Sequence, residues 1–223
     1  MLTLALEFST SRRSVALLKN RPEKARPDVL GTASDEGARS VKPLGLITRV
    51  LREAGIRRDE IERVAVGLGP GSYTGVRSSI ALAQGWQLAR GIKLVGVSTA
   101  ACLAFQAQVR GWFGQVTVVI DAQRNELYLA SYHLSQDRRE LVQPLRLIGM
   151  GELAAHSAPG SMLVGPDIAK WALQGQTLFP EAWALGSLAD EQGASVAGEN
   201  LEPIYLRETS FVKAPPARRL PES

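Results

Sequence analysis

The run Gly67-Leu-Gly-Pro-Gly-Ser-Tyr-Thr-Gly-Val-Arg77 constrains this chain more than any other stretch. An apolar segment, Val64 to Leu68, leads into it, and a helical pattern from Val76 to Arg90 leads out. The segment therefore reads as strand, glycine turn, helix. Gly67, Gly69, Gly71 and Gly75 let the backbone turn tightly or approach another backbone or a ligand. Pro70 fixes one dihedral and removes a donor. Ser72 or Thr74 can cap the helix, and free amides at a helix start suit an anion. The run lacks the Lys-Ser/Thr ending of a P-loop and the spacing of a dinucleotide site. A second reading stands beside the first: Gly71, Gly75, Ser79 and Ala83 recur every four residues, a small-residue ridge that lets another helix come close. Ile80 and Trp86 lie beside that ridge. On this reading the helix is a contact surface and not a ligand cradle.

The chain has 223 residues, 45% of them apolar, enough for one large domain or two small ones with real cores. A net charge of +4 permits an RNA-related setting without demanding one. Cys102 is the only cysteine, so no intramolecular disulfide forms and a reducing compartment fits. It sits in the apolar helical run Thr99 to Phe105 and reads as a buried structural thiol. The two histidines, His133 and His156, fall in separate predicted elements, and no H-x-x-x-H pair exists to bind zinc from a helix. No G-x-S-x-G elbow occurs. Met1 to Glu7 reads as a first strand and not as a signal peptide. No apolar run is long enough to span a membrane, so the expected location is cytoplasmic.

Taken in order, strands are expected at 2–8, 13–18 and 28–33, a helix at 41–54, a strand at 61–68, a helix at 72–90, a strand at 93–97 and a helix to about 109. This order matches the ribonuclease-H-like half of the actin and sugar-kinase superfamily. After Arg110 to Gly114 it starts again: strands at 116–120, 126–133 and 141–148, a short helix at 149–156, a strand at 161–165, a helix at 166–173, a helix at 182–192 and an extended run at 203–207. The expectation is an α/β, two-lobed actin-like ATPase (ASKHA, ribonuclease-H-like) fold with mixed β-sheets flanked by helices. The lobes are expected at 1–110 and 111–207, with a mobile, proline-rich tail at 208–223.

Glu7 ends the first strand. In sugar kinases that place holds an Asp that organises metal and attacking water. Glu is longer by one methylene, a shift that matters where catalytic geometry tolerates little displacement. Either Glu7 has a chemical role, or it is a carboxylate bonded to the Ser9–Ser11 turn. With Ser9, Thr10, Gly69, Gly71 and Ser72 it makes up the candidate cofactor-binding set. The acids and arginine of Asp121 to Tyr128 are explained by a hairpin connection.

Gly69 to Arg77, followed by Ile80-Ala-Leu-Ala-Gln-Gly85, closely resembles the signature of the TsaB (YeaZ) family. Leu4 to Thr10 with Ser14 to Leu17, Asp121 to Tyr128, and Pro203 to Arg207 match in the same order. The resemblance implies a part in making threonylcarbamoyladenosine on the tRNA adenosine beside the anticodon, as a non-catalytic partner of TsaD. It implies TsaE in the same complex, tRNA met indirectly, and a homodimer when TsaD is absent. It implies no cofactor for the chain alone, with ATP or ADP entering only in the assembled complex. The family's partner contact uses first-lobe helices, here 41–54 and 72–90, which nominates Leu44, Ile47, Gly71, Tyr73, Gly75, Val76, Ser79 and Ala83. Two departures stand out: Glu7 replaces the family's Asp, and the helix at Val41 carries Pro43 and Gly45 in place of a His-Ser-Glu-like start. The competing reading is a small ATPase or sugar-kinase-like phosphotransferase. It needs an acid at Glu7 and a second phosphate loop, for which Val164-Gly-Pro-Asp167 is the nearest candidate. A peptidase finds no catalytic constellation.

Overall fold

Apolar runs with no polar face must be covered on both sides, and the chain meets this demand with two helix-flanked sheets. The computed structural model describes residues 1–206 apart from 22, 25, 37–42, 157–158, 172 and 193–194. The expected tail lies outside the described residues, as do Val41 and Lys42.

The first sheet holds β1 (Leu2–Glu7), β2 (Arg12–Lys19), β3 (Asp28–Glu36), β4 (Arg63–Gly67) and β5 (Lys93–Val97) in the order β3-β2-β1-β4-β5. β1 and β2 form an antiparallel hairpin with Glu7 opposite Ser14. β4 lies parallel to both β1 and β5. The β4–β5 crossover is α2 (Tyr73–Arg90), as parallel neighbours require. Side-chain alternation sorts the strands between two cores. Leu4, Leu6, Val15, Leu17, Val64 and Val66 face α1 (Pro43–Ala54) and α2. Ala5, Ala16, Leu18, Ala65 and Val95 face α3 (Thr99–Val109) and α5 (Ala182–Gln192).

The second sheet holds β6 (Gly114–Asp121), β7 (Glu126–Leu134), β8 (Arg139–Gly149), β9 (Met162–Gly165) and β10 (Gly175–Thr177) in the order β10-β9-β6-β7-β8. β6 is antiparallel to β7 and parallel to β9, repeating the hairpin-then-crossover plan of the first sheet. A single turn of helix, α4 (Leu153–His156), follows β8. The mixed sheets and their flanking helices are the expected actin-like architecture. α3 joins the lobes: Ala100, Leu103, Ala104 and Ala107 pack on the second sheet, while Cys102 and Phe105 pack with α5 and the first.

Three expectations need correction. The lobes are not contiguous in sequence, because α5, expected in the second, covers the first sheet. Its Leu185 and Leu188 sit on the alanine-rich face that Ala5, Ala16 and Ala65 leave open. Arg63 on β4, 4% exposed, fixes it there through Asp190 (2.8 Å), Thr3 Oγ1 (2.9 Å) and the Ala189 carbonyl (3.4 Å). The chain then stays with the first lobe, where Val196 N donates to Leu94 O and Ile204 N to Leu68 O, both at 2.8 Å. The helix expected at 166–173 is instead a set of turns, held by Trp171 N to Asp167 O and Leu173 N to Ile168 O. β10 carries no alternation in Gly175-Gln-Thr177 and was not expected.

Candidate functional site

A cleft of about 690 Å³ opens between the lobes. The first lobe contributes Ser9, Thr10 and Ser11 from the β1–β2 turn, and Gly71, Ser72, Tyr73 and Arg77 from the glycine loop and α2. The second contributes Asp121 to Arg124 from the β6–β7 turn and Pro166, Asp167 and Lys170 from the turns after β9. Tyr205 closes one edge. Each wall is thus a hairpin turn plus the segment after a parallel strand, which is where mixed α/β sheets place ligands.

The glycine loop lies directly on the first hairpin. Ser72 N donates to Ser9 O at 2.6 Å. A Cβ on Gly71 would collide with Ser9 O, and one on Gly75 with Phe8 O. These glycines serve backbone-to-backbone packing within the lobe. Ser72 caps α2, its Oγ accepting from Gly75 N at 3.3 Å.

Of the candidate cofactor set, Ser9, Thr10, Gly71 and Ser72 line the cleft. Glu7 and Gly69 do not. Gly69 is buried, packed near Val76 and the Ile204 carbonyl, with its own carbonyl accepting from Thr99 N at 2.8 Å. Glu7 is wholly buried beneath the loop. Its Oε1 accepts from Ser9 N at 2.8 Å, the turn-bonded alternative of the sequence reading. Its Oε2 and the hydroxyls of Ser9 and Thr99 are all buried without a completed hydrogen bond. Burial pushes the Glu7 carboxyl above its ordinary range, against the opposing pull of the Ser9 hydroxyl and amide and the Thr99 hydroxyl.

The small-residue ridge is also corrected. Gly75, Val76, Ser79 and Ala83 point into the first lobe, with Ser79 and Ala83 fully buried, and Ile47 is 1% exposed. α2 turns that ridge toward its own sheet, and at Gly75 no side chain would fit over the Phe8 carbonyl. Gly71 is half-buried against Ser9. Among the residues nominated as a partner surface, Leu44 and Tyr73 are exposed. The outward side of α2 presents Ala81, Gly85 and an 89% exposed Leu88.

On the opposite wall, Asp121 is a strut. Its Oδ1 accepts from Gln123 N at 2.7 Å; its Oδ2 accepts from Gln123 Nε2 at 3.0 Å and pairs with Lys170. The lysine's pKa is raised by this bond. Asp167 Oδ2 accepts from Asp121 N at 3.3 Å, and burial pushes the Asp167 carboxyl up. The strut holds a costly turn: Gln123, Arg124 and Asn125 are three consecutive non-glycine residues with φ of 63°, 57° and 60°, each disfavoured by about 1–2 kcal/mol. Across the cleft Tyr73 and Tyr205 stack, with centroids 5.5 Å apart at 25°. Arg77 lies 4.5 Å over the Tyr73 ring and its Nε donates to Tyr205 Oη at 3.3 Å. Sequence reasoning noted both tyrosine motifs but had no signal to join residues so far apart. Only the i, i+4 spacing of Tyr73 and Arg77 was legible.

His133 is exposed, and Cys102 is buried with its thiol pushed well up by desolvation, as befits a structural position. Among the described residues no group of three or more His, Cys, Asp or Glu is placed to hold a metal, and no helix is long and apolar enough to cross a membrane.

Comparison with known proteins adds four findings. Residues 37–212 match the family model of TsaD, tRNA N6-adenosine threonylcarbamoyltransferase. The tRNA threonylcarbamoyladenosine biosynthesis protein TsaB of Escherichia coli K12 is 28% identical over 98% of this chain and all of that protein. TsaB of Haemophilus influenzae is 28% identical over 95% of this chain and 96% of its own. The solved structure of YeaZ from Pseudomonas aeruginosa superposes with a TM-score of 0.74 at 28% identity, covering 92% of this chain and 99% of that one.

Proposed function

The chain belongs to the TsaD family, tRNA N6-adenosine threonylcarbamoyltransferase, and from that premise we propose that it serves threonylcarbamoyladenosine formation on tRNA as a TsaB-type partner of TsaD that does no chemistry itself. The near-full-length TsaB relatives support the pathway. The observation that carries the non-catalytic role is Glu7. A carboxylate that organises metal and water must reach the cleft, and this one is sealed under the glycine loop. The remaining cleft acid of the second hairpin, Asp121, is spent on Gln123 and Lys170.

In this reading TsaD docks on the outward faces of α1 and α2, around Leu44 and Leu88, both exposed. Without TsaD the same faces pair two copies of this chain, since exposed apolar helix faces seek cover. TsaE joins the assembled complex, any ATP or ADP belongs to that complex, and the work is done in the cytoplasm.

The test is reconstitution. TsaD supplied with threonylcarbamoyl-adenylate and tRNA should modify the tRNA strongly only when this chain is added, and the Glu7→Gln variant should support it as well as the parent. ATP hydrolysis by the isolated chain, abolished by Glu7→Gln, would replace this reading with the phosphotransferase one.

A further inference from the structure

The reading above keeps tRNA at one remove. Resting on it, we infer that this chain touches RNA directly: the mouth of the interlobe cleft is a site for a short single-stranded RNA segment, with one base on the Tyr73–Tyr205 pair and the adjoining phosphodiester at Arg77 and Arg124.

Four observations converge. First, Tyr73 and Tyr205 are 58% and 42% exposed although stacked on each other. Two half-open rings on a rim form the kind of platform on which unpaired bases stack. Second, two cations line the cleft with them, Arg77 on the same wall and Arg124 on the facing one. Arg77 is engaged by the two tyrosines, and neither it nor Arg124 forms an ion pair with a described residue. An arginine beside an aromatic pair can bond a phosphate and stack on a base at once. Third, the turn that presents Arg124 is three left-handed residues long and braced by Asp121 and Lys170. Strain kept at a cleft rim calls for a functional reason, since glycine would relieve it. Fourth, the first-lobe wall that carries Arg77 and faces Arg124 also offers the hydroxyls of Ser9, Thr10, Ser11 and Ser72, suited to ribose and phosphate oxygens.

The same chemistry disfavours a free metal–nucleoside triphosphate. Such a ligand needs open carboxylates for its cation. Glu7 is buried, Asp121 is bonded to Gln123 and Lys170, and Asp167, the other carboxylate on the cleft wall, is half-buried and accepts from the Asp121 amide. A singly charged phosphodiester needs only the arginines. The open rim also suits a strand that enters and leaves, where a mononucleotide pocket would enclose its base.

The experiment is a titration of the purified full chain with a labelled single-stranded RNA oligonucleotide, the matching duplex, and ATP, each at two salt concentrations. Single strand should bind well above duplex and ATP, with affinity falling as salt rises. Tyr73→Leu should weaken it about tenfold. Arg77→Ala should weaken it and lower the salt slope by about 0.7. Arg124→Gly separates function from folding: it relieves the left-handed turn, so thermal stability should hold or rise while RNA affinity falls. Equal binding of duplex, binding of ATP in place of RNA, no RNA binding, or single-strand affinity unchanged in Tyr73→Leu and Arg124→Gly would each overturn the inference. The reconstituted modification assay separates the two claims. Modification that depends on this chain without any RNA binding sinks only the inference, whereas independence from this chain sinks the partner reading.

Discussion

The side chain of Glu7 fills the space where Gly67 has no Cβ: a methyl placed there would overlap Oε2 of the carboxyl group. The last residue of β1 and the last of β4 are thus matched across a parallel pair, a long acid against an absent side chain. Gly67→Ala should therefore cost about 1–3 kcal/mol by overpacking. Glu7→Ala should recover part of that cost when the two are combined. A double-mutant cycle in urea measures the coupling; additive effects would mean that the two residues do not share the space.

The buried carboxyl also makes stability depend on pH. Its folded-state pKa is raised above the ordinary value of 4.5, chiefly by desolvation. The folded form therefore keeps a proton that the unfolded chain has released. Stability should fall as pH rises from about 4.5 through the raised folded value, with the full penalty above it. Glu7→Gln removes this window and should melt at a higher temperature than the parent at neutral pH. Melting curves across pH check the sign; a parent that gains stability with pH in that window through Glu7 contradicts it.

Two glycines of α2 should respond oppositely to alanine. Gly75 lies against the Phe8 carbonyl, which is backbone and cannot step aside, so Gly75→Ala should cost about 3 kcal/mol or more. Gly85 meets nothing within 4 Å, so Gly85→Ala should stabilise by about 0.5–1 kcal/mol through helix propensity. Denaturant midpoints of the two variants decide this.

The Arg63–Asp190 pair ties α5 to the first sheet. Asp190→Ala leaves the guanidinium buried with Thr3 Oγ1 and the Ala189 carbonyl as its remaining partners. The expected loss is about 3 kcal/mol. Hydrogen exchange should show α5 opening before the β1–β4 ladder, since the helix depends on this anchor and the ladder does not.

Partner binding should follow exposure and not residue size. Leu88→Arg and Leu44→Arg should leave the melting temperature within a few degrees of the parent while abolishing co-elution with TsaD. Ala83→Trp should instead unfold the first lobe, because Ala83 is fully buried in its core. Co-elution that survives both arginine variants would move the contact elsewhere.

The sequence by itself determined most of the elements and their order, the turns after β9 and the short β10 being the exceptions. Continuous apolar runs at β1, β4 and β6 read as buried strands, the stripe of Leu44, Ile47, Val50, Leu51 and Ala54 read as one helix face (the structure buries Ile47, Val50 and Leu51 and turns Leu44 outward), and the glycine turn between β4 and α2 announced a parallel crossover. Local periodicity and turn chemistry suffice there, because each signal lies within a few neighbouring residues. Which way a surface faces was settled only by tertiary packing. The ridge of Gly75, Ser79 and Ala83 is a correct reading of small groups in a row, yet helical spacing is blind to whether the close neighbour is another chain or the Phe8 carbonyl of this one. Assigning α5 to the first lobe needed the alanine face of a sheet more than a hundred residues upstream. Joining Tyr73 to Tyr205, and Glu7 to Gly67, likewise needed the chain to return on itself, and contacts of that range leave no pattern in a single sequence.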